Sequence, residues 1–146
     1  DLKITLLDSL NKRVKFLNHV ILDLSLKNIS AVHGRAEDLA QQKEYREQYD
    51  FCVSRAVANL ATLSEYCLPF VKKKGYFISY KSEKITEEYE QARKAIQVLG
   101  GNYKNQVEFH LPKSDIYRNL FIIEKIDVTP KKYPRKAGLP SKEPII

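Results

Sequence analysis

The feature that most limits what this chain can become is the order of its periodic segments. A strand-like run followed by a helical segment occurs four times, and two strand-like runs then follow with no helical pattern between them. Lys3 to Leu7 is short, apolar and closed by Asp8. Ser9 comes next, a residue type that caps helices by accepting a backbone N–H. Leu10, Val14, Leu17, Ile21 and Leu24 then recur at spacings of four and three, one face of a helix. Further strands are expected at Ile29 to His33, Tyr49 to Arg55 and Tyr76 to Tyr80. A polar helical segment is expected from Arg35 to about Gln48, and Leu60, Leu63 and Cys67 mark a helix ending near Pro69. Lys72-Lys73-Lys74-Gly75 reads as a turn. Ile85, Tyr89, Ala92, Ile96 and Leu99 form another helical row, stopped by Gly100-Gly101.

That order predicts an α/β fold with a mostly parallel sheet flanked by helices. The last two strands, around Tyr103–Leu111 and Leu120–Ile126, are expected to pair antiparallel. Residues 1–127 form the expected domain, and 128–146 a basic, Pro-punctuated extension. The chain opens on Asp1 directly before a strand-like run, so an N-terminal part of the parent protein is expected to be missing.

Composition narrows the class of function. Lys and Arg number 25 against 18 Asp and Glu, a formal charge of +7, which favours a polyanionic partner. No apolar run is long enough for a membrane span. Cys52 and Cys67 are too few for a disulfide framework, so reduced, buried thiols and a cytoplasmic location are expected. His19, His33 and His110 are scattered, no paired-Cys motif accompanies them, and no metal site is expected.

In parallel α/β sheets, ligands bind beyond the carboxyl ends of the strands, which is where the notable polar residues of this chain fall. Asp8 can accept hydrogen bonds from ribose hydroxyls, or can serve as a favourable charge at a helix start. In Ala36-Glu37-Asp38, a main-chain amide with an acidic side chain can read an adenine edge, or the carboxylates can simply favour the helix start. Arg55 follows a buried strand and either faces the cleft to bind an anion or cofactor, or pairs with Asp50 or Glu65. Lys131-Lys132-Tyr133-Pro134-Arg135-Lys136 suits phosphates and bases, or is a solubilising tail. Lys81 ends the fourth strand, and Arg118 is a single basic residue near the antiparallel pair.

Four segments together carry a resemblance: Leu7-Asp8-Ser9-Leu10-Asn11-Lys12-Arg13, Gly34-Arg35-Ala36-Glu37, Ser54-Arg55-Ala56-Val57-Ala58, and Thr129-Pro130-Lys131-Lys132-Tyr133-Pro134-Arg135-Lys136-Ala137-Gly138. At these distances the chain resembles the bacterial glucose-inhibited division protein B family of 16S ribosomal RNA guanine-N7 methyltransferases. The resemblance implies a Rossmann-like S-adenosylmethionine-dependent fold and methyl transfer to N7 of a guanine in the 530 loop. It implies cofactor contacts at Asp8, Ala36, Glu37 and Arg55. The partner it implies is 16S ribosomal RNA or the small-subunit particle, and the clustering of charge makes Arg118, Lys131, Lys132, Arg135 and Lys136 the residues expected to hold its backbone. The family's first strand and glycine loop have no counterpart, so this chain would enter the fold at the second strand. No general base is expected, because guanine N7 carries a lone pair and no proton. Two other readings remain: a non-catalytic RNA-binding or ribosome-assembly module on the same shell, and a nicotinamide-dependent dehydrogenase. The antiparallel terminal pair and the basic extension argue against the dehydrogenase.

Overall fold

A computed structural model describes residues 1–55, 58–83 and 85–146. Strand β1 (Ile4–Asp8) leads into helix α1 (Asn11–Asp23), then β2 (Ile29–His33), the single-turn α2 (Ala36–Leu39), β3 (Tyr49–Arg55) and α3 (Leu60–Cys67). A 3-10 turn (Leu68–Phe70) joins α3 to β4 (Val71–Lys81), followed by α4 (Thr86–Val98), β5 (Gly101–His110), β6 (Tyr117–Lys125) and α5 (Leu139–Lys142). The strand and helix order read from the sequence is therefore present.

The strands form two sheets. β1 and β2 pair parallel, with Asp8 opposite His33. The other sheet runs β3-β4-β6-β5; β3 and β4 are parallel, while β6 is antiparallel to both its neighbours. The last strand thus inserts between β4 and β5, which periodicity alone did not reveal. Among the described residues β1 pairs only with β2, and β3 only with β4. The Tyr49 hydroxyl donates to Thr5 Oγ1 at 3.2 Å and links the amino ends of β3 and β1.

The main core lies between one face of the four-stranded sheet and helices α3 and α4. Phe77, Phe121 and Ile123 meet Leu60, Leu63, Ala92, Ala95 and Ile96 there. Phe77 is completely buried, and truncating such a ring to Ala costs about 3–5 kcal/mol. The rings of Tyr89, Tyr103 and Phe121 close the edge of this core, with centroids 5.2–5.3 Å apart. Asn59 caps α3 by accepting the Thr62 amide at 2.9 Å.

Four local expectations are corrected. Ser9 does not cap α1: the cap position is Leu10, without a side-chain bond, and Asp8 Oδ1 accepts the Leu10 amide at 2.8 Å. The carboxylate one residue upstream instead holds the amide of the cap residue itself. The apolar row of α1 is only partly used, since Val14 is buried while Leu10 and Leu24 are exposed. The two-stranded sheet beneath α1 is too narrow to cover the whole row. The helical segment expected from Arg35 to about Gln48 is a helix only over Ala36–Leu39.

The lysine run is not a turn but part of β4. Tyr49 faces Val71 and Phe51 already faces Tyr76, so the lysines bulge out of register. Lys74 takes a φ of 73°, and a Cβ on Gly75 would sit 2.5 Å from the Asp50 carbonyl. A Gly beside a charged run marks a bulge here, as it often does in strands. Gly100, with φ 87°, does end α4 as expected: its amide donates to the Gln97 carbonyl at 3.1 Å.

Candidate functional site

Three of the expected site positions sit at the carboxyl ends of parallel strands, two of them on the two-stranded sheet and one on the four-stranded sheet. Asp8 closes β1, Ala36-Glu37 lies just beyond β2, and Arg55 closes β3. α2, which follows β2, packs on α3, which follows β3. Ala56 and Val57, part of the motif around Arg55, lie outside the described residues.

The side chains differ in what they leave available. Asp8 spends one oxygen on the Leu10 amide, and its other oxygen lies 3.6 Å from the Arg13 guanidinium. A carboxylate has about four lone-pair sites, so acceptor capacity remains for a ribose hydroxyl. Arg55 is exposed and makes no ion pair among the described residues. Glu37 behaves differently: it is 6% exposed, and its Oε1 accepts the Gly138 amide at 2.9 Å. Its carboxylate therefore faces the protein, leaving the Ala36-Glu37 main chain as the part able to meet a nucleoside. Lys81 is tied to Glu88 at 2.7 Å and to the Ala58 carbonyl.

The basic extension does not hang free. Arg135 forms a two-toothed ion pair with Glu65 of α3 (Nε to Oε1 3.0 Å, Nη2 to Oε2 2.8 Å), and its own amide also donates to Glu65 Oε1. That hydrogen bond, together with the Glu65 charge, holds the guanidinium pKa above its usual value. Arg46 donates to the carbonyls of Thr129, Pro130 and Tyr133, and the Thr62 hydroxyl donates to the Pro140 carbonyl. Lys131, Lys132 and Lys136 remain exposed, with the Lys132 ammonium 5.2 Å from the Tyr133 ring centre. Arg118 is partly buried on β6 and donates to the Tyr117 carbonyl.

Sequence reasoning missed several of these anchors. It offered Glu65 as a partner for Arg55, whereas Glu65 is 1% exposed and holds Arg135. It passed over Lys125, whose fully buried ammonium donates to Glu47 and to the Leu68 and Val71 carbonyls. Burial pushes the Lys125 pKa down, against the attraction of Glu47. Cys67 is buried as expected, but Cys52, packed against the same core, is only half-buried; the neighbouring Cys52 thiol and burial push the Cys67 pKa well above its ordinary value. Among the described residues no cluster of metal-ligating side chains occurs, and no helix is long and apolar enough to cross a membrane.

Residues 1–117 match the GidB family, rRNA small subunit methyltransferase G. The chain is 56% identical over 146 residues to ribosomal RNA small subunit methyltransferase G of Lachnoclostridium phytofermentans, covering 100% of this chain and 60% of that protein. It is 57% identical over 144 residues to the same-named protein of Alkaliphilus oremlandii, again covering 60% of it. The chain thus spans about 60% of the length of these curated relatives. Among solved structures, an rRNA methylase from Streptococcus thermophilus superposes with a TM-score of 0.57 at 14% identity, over 86% of this chain and 74% of that one. M. jannaschii TYW2 in complex with AdoMet gives a TM-score of 0.60 at 14% identity, over 85% of this chain and 58% of that one. At such identities the shared property is the Rossmann-like fold.

Proposed function

The chain belongs to the GidB family, rRNA small subunit methyltransferase G, and from that premise we propose that the protein methylates N7 of a guanine in the 530 loop of 16S ribosomal RNA. The methyl donor is S-adenosylmethionine, and the setting is cytoplasmic. The observation that carries the reading is the row of Asp8, Ala36-Glu37 and Arg55 beyond the carboxyl ends of β1, β2 and β3.

The residues fit a nucleoside donor in specific ways. Asp8 retains acceptor capacity for ribose hydroxyls, the main chain at Ala36-Glu37 suits an adenine edge, and exposed Arg55 closes the row. When bound, the donor supplies an electrophilic methyl on a sulfonium. Guanine N7 attacks with its own lone pair, so the protein's work is to align donor and acceptor and to shape the field around them. No side chain need remove a proton. Lys131, Lys132 and Lys136 on the extension and Arg118 on β6 are assigned to the RNA backbone, whereas Arg135, expected there too, has its guanidinium taken up by Glu65 and serves the fold. The target base is presented from a loop or turned out of its stack.

The test is calorimetric titration with S-adenosylmethionine on the protein at its full natural length, followed by mass mapping of methylated 16S RNA. Cofactor binding with a methyl at N7 of a 530-loop guanine supports the reading. RNA affinity without cofactor binding would replace it with a non-catalytic RNA-binding or ribosome-assembly module.

A further inference from the structure

A helix of one turn cannot hold itself together in water. α2 is such a helix, spanning Ala36–Leu39, and it follows the strand end assigned above to the donor's adenosine. Something outside it must fix its backbone. Leu39 anchors one side in the smaller core cluster. On the other side stands the buried carboxylate of Glu37, a group that is costly to bury without a hydrogen-bond donor. Its donor is the Gly138 amide at 2.9 Å.

Gly138 has φ 87°, backbone that glycine adopts without strain. Its segment is itself clamped. Arg135, three residues earlier, locks onto Glu65 of α3 through its amide and its guanidinium. Two residues later, the Pro140 carbonyl accepts the Thr62 hydroxyl, also from α3. Two nearly inaccessible carboxylates, on α2 and α3, therefore each accept a backbone amide from the same stretch.

We propose that residues 135–138 are a positioning element for the donor's adenosine turn, with Glu37 as its clip. The Glu37 carboxylate reads no base. It fixes the Ala36-Glu37 main chain by tying it, through Gly138 and Arg135, to α3. The C-terminal extension then serves the cofactor as well as the RNA. This rests on the function proposed above, in which the Ala36-Glu37 turn meets the donor.

The test uses the protein at its full natural length with the variants Glu37→Gln, Glu37→Ala and Gly138→Ala. Gly138→Ala is the telling one. A methyl there meets nothing within 4 Å, so it disturbs the φ 87° backbone that presents the amide without filling any site. The readings are affinity for S-adenosylhomocysteine below the melting transition, KM for the donor and kcat, and hydrogen exchange at amides 36–38. Glu37→Ala is expected to weaken binding about tenfold, the scale of one hydrogen bond to a charged group. KM for the donor should rise by about the same factor and kcat change less, while exchange at amides 36–38 quickens. Gly138→Ala should reproduce this in the same direction, and Glu37→Gln, which keeps an acceptor, should recover most of the loss.

Loss of affinity in the Glu37 variants with full affinity in Gly138→Ala would mean that the carboxylate touches the nucleoside, and overturns the proposal. Lowered melting temperatures with unchanged affinity would reduce the clip to a fold contact, and also overturn it. Arg55→Ala separates the two levels. If it too leaves donor affinity unchanged, the assignment of the strand-end row fails, and the clip's role in cofactor binding fails with it.

Discussion

Arg135→Ala distinguishes an internal clamp from a surface cation. Glu65 is 1% exposed, and all of its bonded donors described here come from Arg135, two through the guanidinium and one through the amide. Truncating Arg135 leaves a buried carboxylate with the amide alone. Breaking a buried pair from one side costs about 3–5 kcal/mol, because the remaining charge is uncompensated. For a domain of this size each kcal/mol moves Tm by about 2–4 °C, so a fall of roughly 10 °C is expected. The assay is thermal and urea denaturation followed by far-ultraviolet dichroism, run as a double-mutant cycle with Glu65→Gln. The double variant should be more stable than Arg135→Ala alone, since the stranded charge is gone. The loss should also persist at 1 M salt, where exposed pairs are screened. A cost under about 1 kcal/mol, the range of exposed pairs, would refute the reasoning and return Arg135 to the surface.

Arg55→Ala is expected to weaken S-adenosylhomocysteine binding while RNA affinity in a filter-binding assay stays near wild type; the reverse pattern would mean that the two surfaces have been exchanged. Reversing Lys132 and Lys136 to Glu should lower RNA affinity and flatten its salt dependence, since each phosphate contact contributes about 0.9 to the log–log slope. An unaltered slope would remove the extension from the RNA interface. Lys125 gives a pH prediction: burial lowers its folded-state pKa below the unfolded value, so between the two the unfolded chain binds more protons. Its contribution to stability therefore rises with pH through that alkaline window, and Lys125→Met should abolish that rise in denaturation midpoints measured from pH 8 upward.

What the sequence revealed was the information that is local and repeated. Ile85, Ala92, Ile96 and Leu99 announced α4 because one helix face must be apolar, and all four are buried. Gly100 announced its end because the φ of 87° favours glycine. Asp8 and Arg55 could be found as strand-end residues because strand ends are visible in the pattern. Other features depend on pairings far apart in the chain. Nothing near Arg135 indicates that its partner is Glu65, and nothing near Glu37 indicates Gly138. The lysine run misled for the opposite reason: charge and glycine are what a turn shows, and a bulge within a strand shows the same. Lys125 ends β6 and looks solvated until the carbonyls of Leu68 and Val71 are seen to surround its ammonium.

The break between the two sheets has a consequence for handling the chain. β1 and β3 each present one row of amides and carbonyls that no described strand engages, and Phe51 and Val53 on β3 are more than half exposed. Such rims recruit any extended peptide, another copy included. Mutual repulsion from a formal charge of +7 opposes that recruitment at low ionic strength. Salt removes the protection, so preparations of this chain should stay dispersed in dilute buffer and begin to scatter light as sodium chloride is raised.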